Sequence, residues 1–90
     1  MQARYEVRLE RGAARAWNAL PPKEHGQIGR RLHALAENPR PVGSRKLSGE
    51  LEGYRLSAGD FRIPYEVDDR ARLVTVYRIA PRPAAYRRPR

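Results

Sequence analysis

An α+β fold is what this 90-residue chain predicts. Apolar residues alternate at every second position near the start and again after Gly53, and between those stretches they recur at helical spacing. Prolines and glycines punctuate each change of period and set the boundaries. A chain of this length is one domain's worth, so residues 1–90 are expected to share a single core, with 81–90 a basic tail prone to fray.

From Arg4 to Glu10 the alternation is strict. Tyr5, Val7 and Leu9 fall on one face and Arg4, Glu6, Arg8 and Glu10 on the other, the pattern of a half-buried strand. Ala13, Ala16, Trp17 and Leu20 then make one stripe of a short helix. Pro21-Pro22 ends it and opens the next, since proline lacks only an N–H that a first turn leaves unpaired. The second helix shows Ile28, Leu32, Leu35 and Ala36 on one face and stops at Asn38-Pro39. The short connection predicts an antiparallel two-helix hairpin. Residues 39–53, rich in Pro and Gly, read as a loop.

A three-strand antiparallel meander follows. Tyr54, Leu56 and Ala58 alternate with Arg55 and Ser57, and Gly59-Asp60 turns the chain. Phe61, Ile63, Tyr65 and Val67 alternate with Arg62, Pro64 and Glu66, although a proline in a strand implies an edge or a bulge. After a hairpin turn at Asp68-Asp69-Arg70-Ala71, Leu73 through Ile79 is apolar on both faces and is expected at the sheet centre. The order β-α-α-β-β-β thus predicts one mainly antiparallel sheet with the helical hairpin on one face.

The formal charge is +9 and unevenly spread. Residues 70–90 carry seven arginines and no acid, whereas residues 1–69 carry twelve basic and ten acidic groups. Arginine accounts for 17 of the 19 cations, and its planar fork suits bidentate contact with phosphate. A polyanion, RNA above all, is the expected partner. No apolar run is long enough to cross a membrane, and no cysteine is present to make a disulfide or a thiolate metal site. A cytoplasmic chain with neither metal nor cofactor is expected.

Few residues form a familiar catalytic motif. His25 and His33 on the second helix read as solvated or capping groups, Glu24 and Glu37 as surface charges, and Trp17 as core. The polar residues of the strands are more informative. Arg55 and Ser57 share a face of one strand, Arg62 sits on the next, and Arg82 and Tyr86 follow the last. Adjacent strands lie about 4.8 Å apart, so such side chains can converge on one phosphate.

Several stretches resemble the RelE/ParE superfamily of bacterial type II toxins. They are Tyr5-Glu6-Val7-Arg8-Leu9, Leu35-Ala36-Glu37-Asn38-Pro39-Arg40, Arg45-Lys46-Leu47, Gly53-Tyr54-Arg55-Leu56, and Gly59-Asp60-Phe61-Arg62-Ile63-Pro64-Tyr65-Glu66-Val67. The resemblance implies the β-α-α-β-β-β toxin fold and a co-expressed antitoxin partner, in a toxin–antitoxin hetero-oligomer. RelE-like members cut mRNA on the ribosome, and ParE-like members poison DNA gyrase. An mRNA endoribonuclease with ribosome and mRNA as partners is therefore expected, with gyrase poisoning or a catalytically weak nucleic-acid binder as the alternatives.

Carried over position by position, the resemblance implies that Arg55 holds phosphate and Arg62 stabilises the pentacovalent phosphate. Arg82 would assist the leaving group, and Tyr86 would stack on or position the nucleotide. Arg45, Lys46, Ser57, Arg78, Arg87 and Arg88 are the expected RNA contacts. Two departures stand out: Ser57 occupies the position where RelE-like members carry a basic residue proposed as general base, and Ala80-Pro81 replaces a glycine and basic pair. A serine hydroxyl titrates too far above neutrality to do a lysine's work as base.

Overall fold

The computed structural model describes residues 4–46 and 53–81. Helix α1 (Arg11–Asn18) begins two residues earlier than the apolar stripe suggests, and α2 (Pro22–Glu37) places its first proline in the opening turn. Glu24 in that turn complements the positive end of the helix dipole. The helix stops where expected: Asn38 is already extended (φ −145, ψ 103), as a residue preceding proline must be. Alone, the eight residues of α1 are too few to hold a helix in water, so packing sustains them. Trp17 does much of this, donating from Nε1 to the His25 carbonyl (2.9 Å) and stacking on the His25 ring at 4.2 Å. His25 is therefore a packed ring rather than a solvated or capping one, while His33 is exposed.

The strands are β1 (Glu6–Leu9), β2 (Arg45–Lys46), β3 (Gly53–Ala58), β4 (Phe61–Asp68), β5 (Leu73–Val76) and β6 (Ala80–Pro81). Their order in the sheet is β1-β5-β4-β3-β2, with β6 also paired to β4. All pairings are antiparallel except β1 with β5. Ile28, Leu32 and Leu35 of α2 and Ala13 of α1 bury against Leu56, Ala58, Ile63, Tyr65, Val74 and Val76. Each large aliphatic side chain buried there contributes about 1.5–3 kcal/mol.

Three expectations need correcting. The loop over 39–53 contains β2, which adds a short edge to the sheet. The middle strand is β4, with β5 beside it rather than at the centre. And the stretch from Leu73 to Ile79 is not one continuous strand. Between Tyr65↔Val76 and Arg62↔Ala80, residues 77–79 on one side span what 63–64 span on the other, which is a bulge.

Pro64 explains the bulge. Toward β3 it faces Arg55 at a position where no ladder bonds are exchanged, so nothing is lost there. Its backbone polar groups point to the other side, where its carbonyl accepts from the Tyr77 N–H at 3.3 Å. The N–H that should answer is absent in proline, and the ladder opens at that spot.

A polar clamp ties together segments far apart in the sequence. Arg40 grips Asp69 with two hydrogen bonds (3.1 and 2.8 Å), Tyr5 donates to the same carboxylate (2.6 Å), and Arg40 Nε donates to the Tyr54 hydroxyl (2.9 Å). These donors hold the Asp69 carboxyl down at about 2, the hydrogen bond from Arg40 contributing most. Because the folded form resists protonation, the clamp contributes in full above the ordinary carboxylate range and is lost as pH falls toward 2. We expect unfolding midpoints in urea to drop between about pH 4 and pH 2, and Asp69→Asn to lower the neutral-pH midpoint and flatten that drop. An Asp69→Asn variant with the wild-type pH profile would show that the clamp does not couple to folding.

Candidate functional site

The sheet face turned away from the helices is cationic where β2, β3 and β4 meet. Alternation requires it. With Leu56, Ala58, Ile63 and Tyr65 buried against the helices, Arg55, Ser57, Arg62 and Pro64 lie on the opposite side. Register then determines the neighbours: Ser57 stands opposite Arg62, Arg55 opposite Pro64, and Arg45 opposite Arg55. Directly opposed residues have Cβ atoms about 4.5–5.5 Å apart. Gly43, Arg45, Arg55, Ser57 and Arg62 line an open cleft of about 240 Å³. Gly43 adopts φ +97, a conformation that L side chains rarely take, where the loop turns along the cleft.

Two local devices hold the cleft in shape. The β3–β4 hairpin closes through Gly59-Asp60, with Gly59 at φ +61, as a two-residue turn with glycine in first place requires. Arg62 Nη1 donates to the carbonyls of Gly59 (2.9 Å) and Phe61 (3.0 Å), so its guanidinium is tethered at the hairpin tip. The second device is on the edge of β3. The Ser57 carbonyl points away from β4, because the pair next to the one closing a two-residue hairpin exchanges no ladder bonds. β2 does not extend that far. Arg31 of α2 fills the gap, donating to the Ser57 carbonyl from Nε (3.2 Å) and Nη2 (2.9 Å).

Of the residues the sequence singles out, Arg45, Arg55, Ser57 and Arg62 come together in this cleft. Lys46 does not join them: it is in register with Tyr54 and so lies on the opposite side of its strand. Arg78 falls in the bulge between the β5 and β6 pairings with its Nε buried, and it does not line the cleft. Arg82, Tyr86, Arg87 and Arg88 lie outside the described residues. Arg31 was missed, and the local signal for it is slight. It is next to the apolar stripe of α2, whereas its acceptor is 26 residues away.

Chemically, the cleft offers fixed cations and one neutral hydroxyl. Guanidinium groups that stay protonated at neutral pH can hold a phosphate and stabilise charge that builds on it. Ser57 can donate or accept a hydrogen bond there, but it cannot take up a proton near neutrality. Among the described residues no cluster of three or more His, Asp or Glu side chains is placed to hold a metal ion.

The chain is similar to known toxins over most of its length. A family model described as the ParE toxin of the type II toxin–antitoxin system parDE matches residues 7–86. Toxin RelE of Mycobacterium tuberculosis is 35% identical, over 92% of this chain and 87% of its own. Among solved structures, the RelBE2 toxin–antitoxin complex of Mycobacterium tuberculosis superposes with a TM-score of 0.75 at 26% identity, covering 88% of this chain and 99% of that one. The intact Escherichia coli RelBE toxin–antitoxin complex gives 0.73 at 25% identity, covering 86% and 95%.

The Arg31 contact is open to direct measurement. Arg31→Met removes both donors from the Ser57 carbonyl while keeping the aliphatic stem, and should cost about 1 kcal/mol in urea unfolding. Arg31→Lys should recover part of the loss. Equal midpoints for Arg31→Met and wild type would show that water serves the carbonyl as well as Arg31 does.

Proposed function

The chain belongs to the RelE/ParE superfamily of type II toxins, and from that premise we propose that it is a ribosome-dependent mRNA endoribonuclease restrained by a cognate antitoxin. The observation that carries the proposal is the cleft in which Arg45, Arg55 and Arg62 surround Ser57. Similarity to a toxin named RelE supports the RNA branch. The match to the ParE description makes DNA gyrase the competing target.

In the proposed reaction a ribose 2′-hydroxyl loses its proton and its oxygen bonds to the adjacent phosphorus. The bond to the 5′-oxygen breaks, and that oxygen is protonated as it leaves, giving a 2′,3′-cyclic phosphate and a 5′-hydroxyl. Arg62, fixed at the hairpin tip, is assigned to the charge on the pentacovalent phosphate, and Arg55 to holding the phosphate in place. Arg82 is assigned to the leaving oxygen and Tyr86 to positioning the nucleotide, with Arg87 and Arg88 as RNA contacts. Because Ser57 cannot act as base, the cleft works by positioning and charge stabilisation, and the proton acceptor comes from outside it.

An acidic antitoxin segment fits the partner role. The chain carries +9, and the similar RelBE structures are of toxins bound to antitoxin. Opposite charge would speed their encounter.

Single-turnover cleavage of ribosome-bound mRNA tests the nuclease. Arg62→Ala should slow it about 10²-fold or more, the scale of one preorganised donor. Ser57→Lys should accelerate it, because an amine set between Arg55 and Arg62 would have its pKa drawn down toward neutrality. A folded Arg62→Ala protein cutting at the wild-type rate would remove Arg62 from the chemistry. Wild-type protein that spares mRNA but traps gyrase on cleaved DNA would overturn the nuclease itself.

A further inference from the structure

Strand β1 ends the sheet, and one side of its backbone faces outward. The N–H groups of Glu6 and Glu10 donate to the carbonyls of Arg72 and Val76, each at 2.9 Å. Alternation then turns the backbone groups of Tyr5, Val7 and Leu9 away from β5. The Tyr5 N–H is taken by the Ala36 carbonyl at the end of α2 (2.9 Å). Among the described residues that leaves the Tyr5 carbonyl, and both polar groups of Val7 and of Leu9, as an edge on which another strand can form a ladder.

The side chains say which strand. Arg4-Tyr5-Glu6-Val7-Arg8-Leu9-Glu10 is complementary in charge to its own reverse. Laid antiparallel against a second copy with Val7 opposite Val7, it sets Glu6 opposite Arg8 and Arg4 opposite Glu10, each twice by symmetry. A shift of two residues one way sets Arg8 against Arg8 and Glu6 against Glu10. The same shift the other way sets Glu6 against Glu6 and Arg4 against Arg8. A shift of one residue would turn the wrong backbone groups and faces toward the partner. Within one copy Glu6 and Arg8 pair at 2.8 Å with both side chains more than 60% exposed, a contact weak enough to exchange for a cross-strand one. Tyr5, Val7 and Leu9 are only half-buried against the core, and Tyr5 opposite Leu9 with Val7 opposite Val7 would extend their cover.

We propose that the chain forms a twofold dimer through β1, with Val7 on the axis. Four backbone hydrogen bonds join the copies: Val7 N–H to Val7 carbonyl in both directions, and the Leu9 N–H of each copy to the Tyr5 carbonyl of the other. The axis stands perpendicular to the sheet, so the two cationic clefts open on the same side, six strand spacings or roughly 30 Å apart. Assembly stops at two. The opposite edge, β2, holds only Arg45 and Lys46, which repel a copy of themselves, and Arg31 occupies the Ser57 carbonyl beyond them. The dimer does not depend on what the clefts bind.

Analytical ultracentrifugation of the full chain tests it. A ladder this short should give a dimer with Kd on the order of 10–100 µM. Glu6→Arg and Arg8→Glu should each raise that Kd at least about tenfold, since each turns two attractive cross-strand pairs into repulsive ones. Mixed in equal amounts, the two variants should dimerise as wild type does, because each supplies the charge the other has lost. That recovery also shows that both variants fold. Amide exchange followed by NMR gives the register: Val7 and Leu9 should be protected in concentrated protein and exchange freely on dilution. Glu6 and Arg8, bonded to β5, should stay protected in both.

A wild-type chain still monomeric at about 500 µM would overturn the proposal. So would a dimer that neither charge variant weakens, or one that mixing fails to restore, since its interface would lie elsewhere. Protection of Val7 and Leu9 that arises only in the complex with a co-expressed antitoxin would assign the edge to that partner and overturn the dimer as well.

Discussion

Pro64 withholds a hydrogen-bond donor from the middle strand, and the cationic face is arranged around that gap. Placed anywhere that faced β3 with its backbone, it would have cost a ladder bond; placed where it is, it leaves the β3–β4 pairing whole over six registered pairs. The defect is passed entirely to the other neighbour. There the chain inserts an extra residue, Tyr77 and Arg78 arrive opposite one proline, and β6 resumes in a register shifted by one from β5. A strand that continued straight from Leu73 to Ile79 would have given alternate faces to these two side chains.

Rigidity for this face comes from beneath and from the sides. The helices bury Leu56, Ile63 and Tyr65 from below, and Tyr65 anchors the loop after α2 through its hydroxyl to the Pro39 carbonyl (2.8 Å). Arg40, next in sequence, then reaches Asp69 in the β4–β5 turn and Tyr54 on β3. One short segment after α2 is thus pinned to three separate strands or turns. The loop leading on to Gly43 and Arg45 sets out from this fixed point, which is why residues so exposed keep a defined place at the cleft.

Much of this was legible in the residues, and the division is physical. Alternation revealed the strands around Val7, Leu56 and Ile63, and with them the shared face of Arg55, Ser57 and Arg62, because the period of a strand is a local property. Proline revealed the end of α2 for the same reason. Pairing between distant segments left no such trace. Tyr5 and Asp69 are 64 residues apart, Arg40 and Asp69 are 29, and the parallel match of β1 with β5 joins opposite ends of the chain. Arg31 reads as an ordinary helical arginine until its acceptor is known. Pro64 is the instructive middle case: a proline in a strand announced that something would yield, yet which neighbour would yield depended on the direction of its backbone groups.

The Arg31 contact also bears on whether this edge of the sheet can pair with another chain. A bare carbonyl on an outer strand is a template on which another chain can start a ladder, the first step toward intermolecular β-structure. On this side of the sheet the template is broken up: β2 is two residues long and both are cationic, and beyond its end Arg31 occupies the carbonyl of Ser57. At the far side β1 carries Glu6 and Arg8, paired to each other at 2.8 Å. A guanidinium set there to complete one hydrogen-bonding group thereby also acts as a gatekeeper against aggregation, discouraging edge-to-edge growth by charge as well as by occupancy.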